Sequence, residues 1–217
     1  MKQISVLIKP ASGLCNLKCT YCFYADVTSL REVKSYGIMK NETMQRMIDQ
    51  LFADLVDGDQ LTLAFQGGEP TLIGLRFYQK LTDYVEEWTK RVRVEVNYAL
   101  QTNGTLIDEK WAQFLKHHQF LVGLSIDGSE RHHNLYRLDG KGRGTFERIK
   151  ETKDLLDNYE VDYNVLCVLT EPMSHAPDEV FNFIKKENIE YIQFIPCLDS
   201  LSKGESNKYA LTPRQFA

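Results

Sequence analysis

The chain is expected to be an α/β protein built on one parallel sheet, and three observations lead there. Strand-like and helix-like segments alternate from end to end. Each strand-like run is followed by a short polar or glycine-bearing stretch. The 217 residues suit one domain with a sizeable core. Strict alternation implies parallel strands joined by crossover helices. Six strands fit either an open doubly wound sheet or an incomplete barrel. Both architectures put an active site at the carboxyl ends of the strands.

The strands are expected at 4–8, 61–65, 92–100, 120–126, 161–169 and 191–195. Between the first two, Met44, Met47, Ile48, Leu51, Phe52 and Leu55 form one apolar helical stripe, with Asn41 as N-cap. Phe77, Leu81, Tyr84, Val85 and Trp88 mark a second helix. Trp111, Phe114 and Leu115 mark a third behind a cap at Asp108. Phe146, Ile149 and Leu156 mark a fourth, and Val180, Phe181 and Ile184 a fifth. Their aromatic residues read as core. At the C-terminus, Thr212 and Pro213 open a helix that stops after about one turn, so the natural chain is expected to continue.

The net charge of -4 is small and interspersed, with no basic stripe, which speaks against a nucleic-acid partner. No apolar run reaches the length of a membrane span, and the N-terminal run is too short for a secretory signal. A cytoplasmic, membrane-free protein is the expectation. Five cysteines, three of them clustered, fit a reducing compartment and a metal site better than a disulfide framework.

Those three, Cys15, Cys19 and Cys22, stand within eight residues directly after the first strand. A structural zinc site takes four ligands in paired spacings, and no histidine lies near. A cubane iron–sulfur cluster is usually held by four thiolates. Three leave one iron open to a substrate or cofactor. The other two, Cys167 and Cys197, read as small core residues.

Polar runs close the later strands: Gln66-Gly67-Gly68-Glu69-Pro70, Gln101-Thr102-Asn103-Gly104, Ser125-Ile126-Asp127-Gly128, Thr170-Glu171 and Cys197-Leu198-Asp199. Gly67 and Gly68 would let a ligand approach the backbone, and Glu69 would accept hydrogen bonds from an ammonium group. Asn103 reads as a turn former, and Asp127 is ambiguous between turn and site. His132 and His133 read as solvated. Residues 140–144 read as a mobile loop rather than a phosphate loop, because strand and spacing are missing.

The cysteine spacing, with an aromatic before the last cysteine, and Gly67-Gly68-Glu69-Pro70 resemble the two motifs of the radical S-adenosylmethionine superfamily. Ile8-Lys9-Pro10-Ala11-Ser12, Cys19 to Tyr24, Phe65 to Pro70, Leu100 to Leu106 and Val122 to Gly128 together resemble the anaerobic sulfatase-maturating enzymes. The resemblance implies a partial (β/α)6 TIM-like barrel over residues 1–217, with the family's C-terminal auxiliary-cluster domain lying outside this chain. It implies a [4Fe–4S] cluster on Cys15, Cys19 and Cys22 and S-adenosyl-L-methionine on the open iron. Gly67, Gly68 and Glu69 would hold the cofactor's amino group, Arg137 would pair with its carboxylate, and Ser125 would make a polar contact to the same cofactor. Tyr21, Phe23 and Leu198 would face its adenine, and Tyr24, Gln66 and Gln101 would serve catalysis at the mouth. The implied substrate is a peptidyl cysteine or serine of a sulfatase, converted to formylglycine. The implied reductant is an electron donor such as flavodoxin or ferredoxin. Two other readings stand beside it: a radical enzyme forming thioether or other cross-links in peptides, and a non-catalytic metal-binding module. A polar mouth is superfluous to the latter.

Overall fold

The computed structural model describes residues 1–200 and 208–216. Six strands form a single sheet: β1 (Gln3–Ile8), β2 (Gln60–Phe65), β3 (Glu95–Thr102), β4 (Leu121–Ser125), β5 (Tyr163–Leu169) and β6 (Ile192–Pro196). Their order is sequential and every pairing is parallel. A doubly wound sheet would reverse its strand order at a switch point. The unbroken order decides for the partial barrel.

The helices are α1 (Phe23–Ser29), α2 (Asn41–Ala53), α3 (Leu75–Thr89), α4 (Glu109–His117), α5 (Glu130–Tyr136), α6 (Phe146–Asn158), α7 (Glu171–Ser174), α8 (Pro177–Lys186) and α9 (Pro213–Phe216). A single 3₁₀ turn, Pro70–Ile73, follows β2. Side chains alternate across a strand. Leu61, Leu63 and Phe65 of β2, Leu100 of β3, and Val122 and Leu124 of β4 are buried against the helices. They meet Met44, Ile48 and Phe52 of α2, Tyr78 and Leu81 of α3, Trp111 and Leu115 of α4, and Ile149 and Leu156 of α6 in one core. Rings at its centre pack closely: Phe65 and Tyr78 at 5.0 Å, Tyr78 and Trp111 at 5.1 Å, Tyr98 and Phe120 at 4.8 Å. Each such pair contributes about 1 kcal/mol beyond its buried area.

All six strands stand where expected, with local differences. β3 begins at Glu95, not at 92, because Arg93 is engaged by the preceding turn: its N–H donates to Asp57 and its carbonyl accepts from Gly58. Asn41 is the first residue of α2, after an N-cap at Lys40 that makes no side-chain bond. Asp108 does cap α4, accepting from the Trp111 N–H at 2.9 Å. Phe181 is exposed, and Val180 and Phe183 form the inner face of α8 instead. Helix α1 was not expected, and it buries no residue, so it has no apolar stripe to read. His132 and His133 are fully buried on α5, not solvated. Residues 140–144 form an ordered turn rather than a mobile loop. The Asp139 carboxylate accepts from the N–H groups of Lys141 and Arg143 and from the Arg143 side chain, and Leu138 bridges to Gly144.

Candidate functional site

The cysteine loop leaves β1 at Ile8 and is stitched into two neighbouring segments. The N–H groups of Lys18 and Thr20 donate to the carbonyls of Leu138 and Tyr136, at 2.7 and 3.1 Å. The Leu14 carbonyl accepts from the Glu69 N–H at 2.7 Å. Gly68 makes that last contact possible. It sits at φ 54°, and a Cβ there would lie 2.2 Å from the Leu14 oxygen. The close approach expected between this glycine pair and a ligand is, at Gly68, an approach of one loop to the other. A Cβ at Gly67 would meet the Lys9 side chain at 2.9 Å.

Cys15, Cys19 and Cys22 are all free thiols. Burial pushes the Cys19 thiol up to about 12, against the pull of Arg137, and it also raises Cys15. Cys19 feels the charge of both other cysteines and Cys15 that of Cys22, so the trio is grouped. Among the described residues no three His, Cys, Asp or Glu side chains converge on one metal-ion position. A cubane does not ask for that, since each thiolate takes its own iron. Soft sulfur donors on a loop tied to the sheet edge fit an iron–sulfur cluster.

Two buried carboxylates organise the surroundings. Glu69 is 1% exposed and takes four hydrogen bonds: from the Thr71 N–H and hydroxyl at 3.0 and 2.7 Å, the Thr102 hydroxyl at 2.7 Å, and the Asn103 N–H at 2.7 Å. Burial pushes its pKa up and these donors pull it back. The side chain therefore ties the loop after β2 to the end of β3 and the loop that follows it.

Asp127 is the second carboxylate. It accepts from the Arg137 guanidinium at 2.9 and 3.3 Å, from the Val168 N–H at 2.9 Å, and from the Tyr21 hydroxyl. Tyr21 lies between two of the cysteines and packs on Tyr136 at 5.4 Å. Burial raises its phenol well above the ordinary range. Burial alone would lower the Arg137 pKa, but Asp127, joined by Tyr21 and Cys19, more than compensates and raises it. Two of the three guanidinium nitrogens are thus occupied. Among the described residues Nη1 has no hydrogen-bond partner, and no buried polar side-chain atom there goes unsatisfied, so Nη1 opens to solvent.

The other expected site residues divide. The Gln66 amide donates to the Tyr24 hydroxyl, and the Lys9 ammonium lies 4.9 Å from the Tyr24 ring centre. Gln101 sits near the end of β3 beside Gly123 of β4, and Ser125 is buried at the end of β4. Phe23 and Leu198 are exposed. Cys167 and Cys197 are buried, as expected of core residues. Sequence reasoning missed Asp127 as a hub and Asn103 as a neighbour of Cys15. Their position directly after β4 and β3 was the available signal.

The family model of the radical SAM superfamily matches residues 10–184. The chain belongs to the radical SAM superfamily. Radical SAM proteins hold a [4Fe–4S] cluster and S-adenosylmethionine, and the cysteine loop described above lies within the matched segment. Over 217 residues the chain is 43% identical to the cysteine-type anaerobic sulfatase-maturating enzyme of Clostridium novyi (strain NT), covering all of this chain and 57% of that one. It is 28% identical over 208 residues to the serine-type anaerobic sulfatase-maturating enzyme of Bacteroides thetaiotaomicron, covering 96% of this chain and 50% of that one. The solved structure of native anSMEcpe with bound AdoMet and Cp18Cys peptide superposes with a TM-score of 0.90 at 41% identity, over 99% of this chain and 56% of that one. The chain therefore spans between half and three-fifths of the length of these relatives. No described helix is long and apolar enough to cross a membrane.

Proposed function

We propose that this chain carries the radical half of a sulfatase-maturating enzyme: it reductively cleaves S-adenosylmethionine and removes hydrogen from a peptidyl cysteine or serine on the way to formylglycine. The observation that carries the reading is the three-thiol loop tied to Glu69 on one side and to the Arg137–Asp127 pair on the other. The 41% identity to a structure with bound AdoMet and a cysteine peptide supports it.

In this reading Cys15, Cys19 and Cys22 hold the cluster. The cluster and S-adenosylmethionine together supply one-electron cleavage of a carbon–sulfur bond. The chain's own residues bind and orient. Arg137 presents Nη1 to the cofactor carboxylate, a charge-assisted contact made firmer by the Asp127 brace. Ser125 adds a polar contact from the end of β4, and the backbone of Gly67 and Gly68 faces the cofactor's amino group. Tyr21, Phe23 and Leu198 border the adenine, and the two exposed side chains close over it. Tyr24, hydrogen-bonded to Gln66, and Gln101 face the peptide at the mouth. The electron comes from a small carrier such as flavodoxin or ferredoxin, in the cytoplasm.

Anaerobic reconstitution with iron and sulfide, followed by addition of a reductant and S-adenosylmethionine, should yield 5′-deoxyadenosine. Cys19→Ala should reduce it to background. Adding cysteine and serine sulfatase peptides then separates the two substrates by their mass change. A chain that holds four irons and forms no 5′-deoxyadenosine would overturn the reading.

A further inference from the structure

The Asn103 side chain occupies a place that turn formation alone does not require. Its backbone N–H is fixed on Glu69 at 2.7 Å. Its amide oxygen accepts from the Thr105 N–H at 3.0 Å and the Thr105 hydroxyl at 2.7 Å. Two donors on the oxygen settle which way the amide points. The NH2 group therefore faces the cysteine loop, where it donates to the Asn16 side-chain oxygen at 3.0 Å and to the Cys15 sulfur at 3.8 Å. The Leu17 N–H donates to the same sulfur at 3.4 Å. Among the described residues, the Cys19 and Cys22 sulfurs receive no hydrogen bond. Asn103 is 8% exposed, and the hydrogen bond to Asn16 holds its NH2 group in place beside the more exposed Cys15.

We propose that Asn103 sets the reduction potential of the cluster by donating its side-chain N–H to the Cys15 thiolate. This inference rests on the cluster reading above. Hydrogen bonds to cluster sulfurs are among the main determinants of potential. The reduced cluster carries one more negative charge than the oxidised one. An N–H aimed at a ligand sulfur therefore stabilises the reduced state more, and raises the potential. The Cys15 corner takes two such donors, and one of them comes from a side chain that mutation can remove. Asn103 is a positioning and tuning residue, not a catalytic one.

The test is an electron-paramagnetic-resonance redox titration of the anaerobically reconstituted chain. Four irons per chain and a reduced-cluster signal in the wild type establish the cluster itself, independently of Asn103. At the potential where half the wild-type cluster is reduced, Asn103→Ala should show a roughly tenfold lower ratio of reduced to oxidised cluster, a shift of about 59 mV for a one-electron couple. Asn103→Leu keeps the size of the side chain, removes the donor and adds no charge, and should move the same way. Thr105→Val removes the hydroxyl from the turn and leaves the amide beside the sulfur, so its potential should stay with the wild type. If Asn103→Ala fails to hold iron, Asn103→Leu decides. Unchanged potentials in cluster-loaded Asn103 variants would overturn the proposal. So would an equal shift in Thr105→Val, or loss of the cluster from both Asn103 variants, since either makes the residue a structural strut.

Discussion

His133 should make this chain lose stability in mild acid, and the size of the loss follows from its surroundings. Both ring nitrogens are committed. Nδ1 accepts from the Asp127 N–H at 3.4 Å, and Nε2 lies 3.1 Å from the Thr145 hydroxyl. That hydroxyl donates to the Arg137 carbonyl at 2.9 Å, so Nε2 must be the donor and the ring is neutral. Protonation would place a second N–H against the backbone N–H of Asp127, in a fully buried position beside a guanidinium. Burial, with Arg137 adding to it, accordingly drives the His133 pKa from 6.5 down to about 3. The sign follows from linkage. The unfolded chain takes up the proton first, so the stabilisation is complete above pH 6.5 and is lost steadily as the pH falls toward 3. Each pH unit in that window costs about 1.4 kcal/mol, or roughly 2 kcal/mol between pH 6.5 and 5. Urea unfolding of the cluster-free chain across this range measures it, and His133→Asn supplies the reference. The variant is less stable at every pH but lacks this ring, so the difference between the two proteins should shrink by about 2 kcal/mol at pH 5. A constant difference would refute the neutral, doubly bonded ring.

Two further substitutions probe the carboxylate hubs. Glu69→Gln keeps the shape but turns one acceptor into a donor that faces the Asn103 N–H. The loss of one charge-assisted bond and the weakening of three others, offset by relief of the buried charge, should cost about 2–4 kcal/mol in urea unfolding. A cost below about 1 kcal/mol would show that the loops are held elsewhere. Asp127→Asn should leave cluster iron content near wild type and raise the KM for S-adenosylmethionine about tenfold or more in 5′-deoxyadenosine formation, with a smaller change in kcat. An unchanged KM would separate Arg137 from the cofactor carboxylate.

Most of the architecture was legible because it rests on periodicity. The stripe Met44, Ile48, Phe52 and the alternation Leu61, Leu63, Phe65 are local patterns, and local patterns survive in a bare sequence. What failed were features set by partners distant in the chain. His132 and His133 look polar in context, yet α5 buries both rings, one against Ser129 and Glu179, the other against Asp127 and Thr145. Residues 140–144 look mobile because of their glycines. They are held by Asp139, whose carboxylate was not recognised as their anchor. Helix α1 has no buried face, and periodicity has nothing to detect there.

The site shows the same division more sharply. Cys15, Cys19 and Cys22 announce themselves, because a ligand set must be spaced to reach one cluster from one loop. The groups that fix their setting are single residues on other strands: Glu69 after β2, Asn103 after β3, Asp127 after β4. Each was visible in sequence as a polar residue at a strand end, and each was given a turn or ligand role. The structure adds a bracing role to each, and Asn103 keeps its turn, accepting from the Thr105 N–H. A buried carboxylate is tolerated only when its oxygens are filled, and here four donors fill each one. Those donors come from the cysteine loop and from the loops and strands beside it. Parallel strands in sequential order make this possible, since all their carboxyl ends open on one edge. The barrel edge therefore does two jobs with the same residue types. Some polar side chains, such as Arg137 through Nη1, remain open to solvent. Others are spent in holding neighbouring loops at fixed distance, and that rigidity is what lets one amide at Asn103 sit within 3.8 Å of a ligand sulfur.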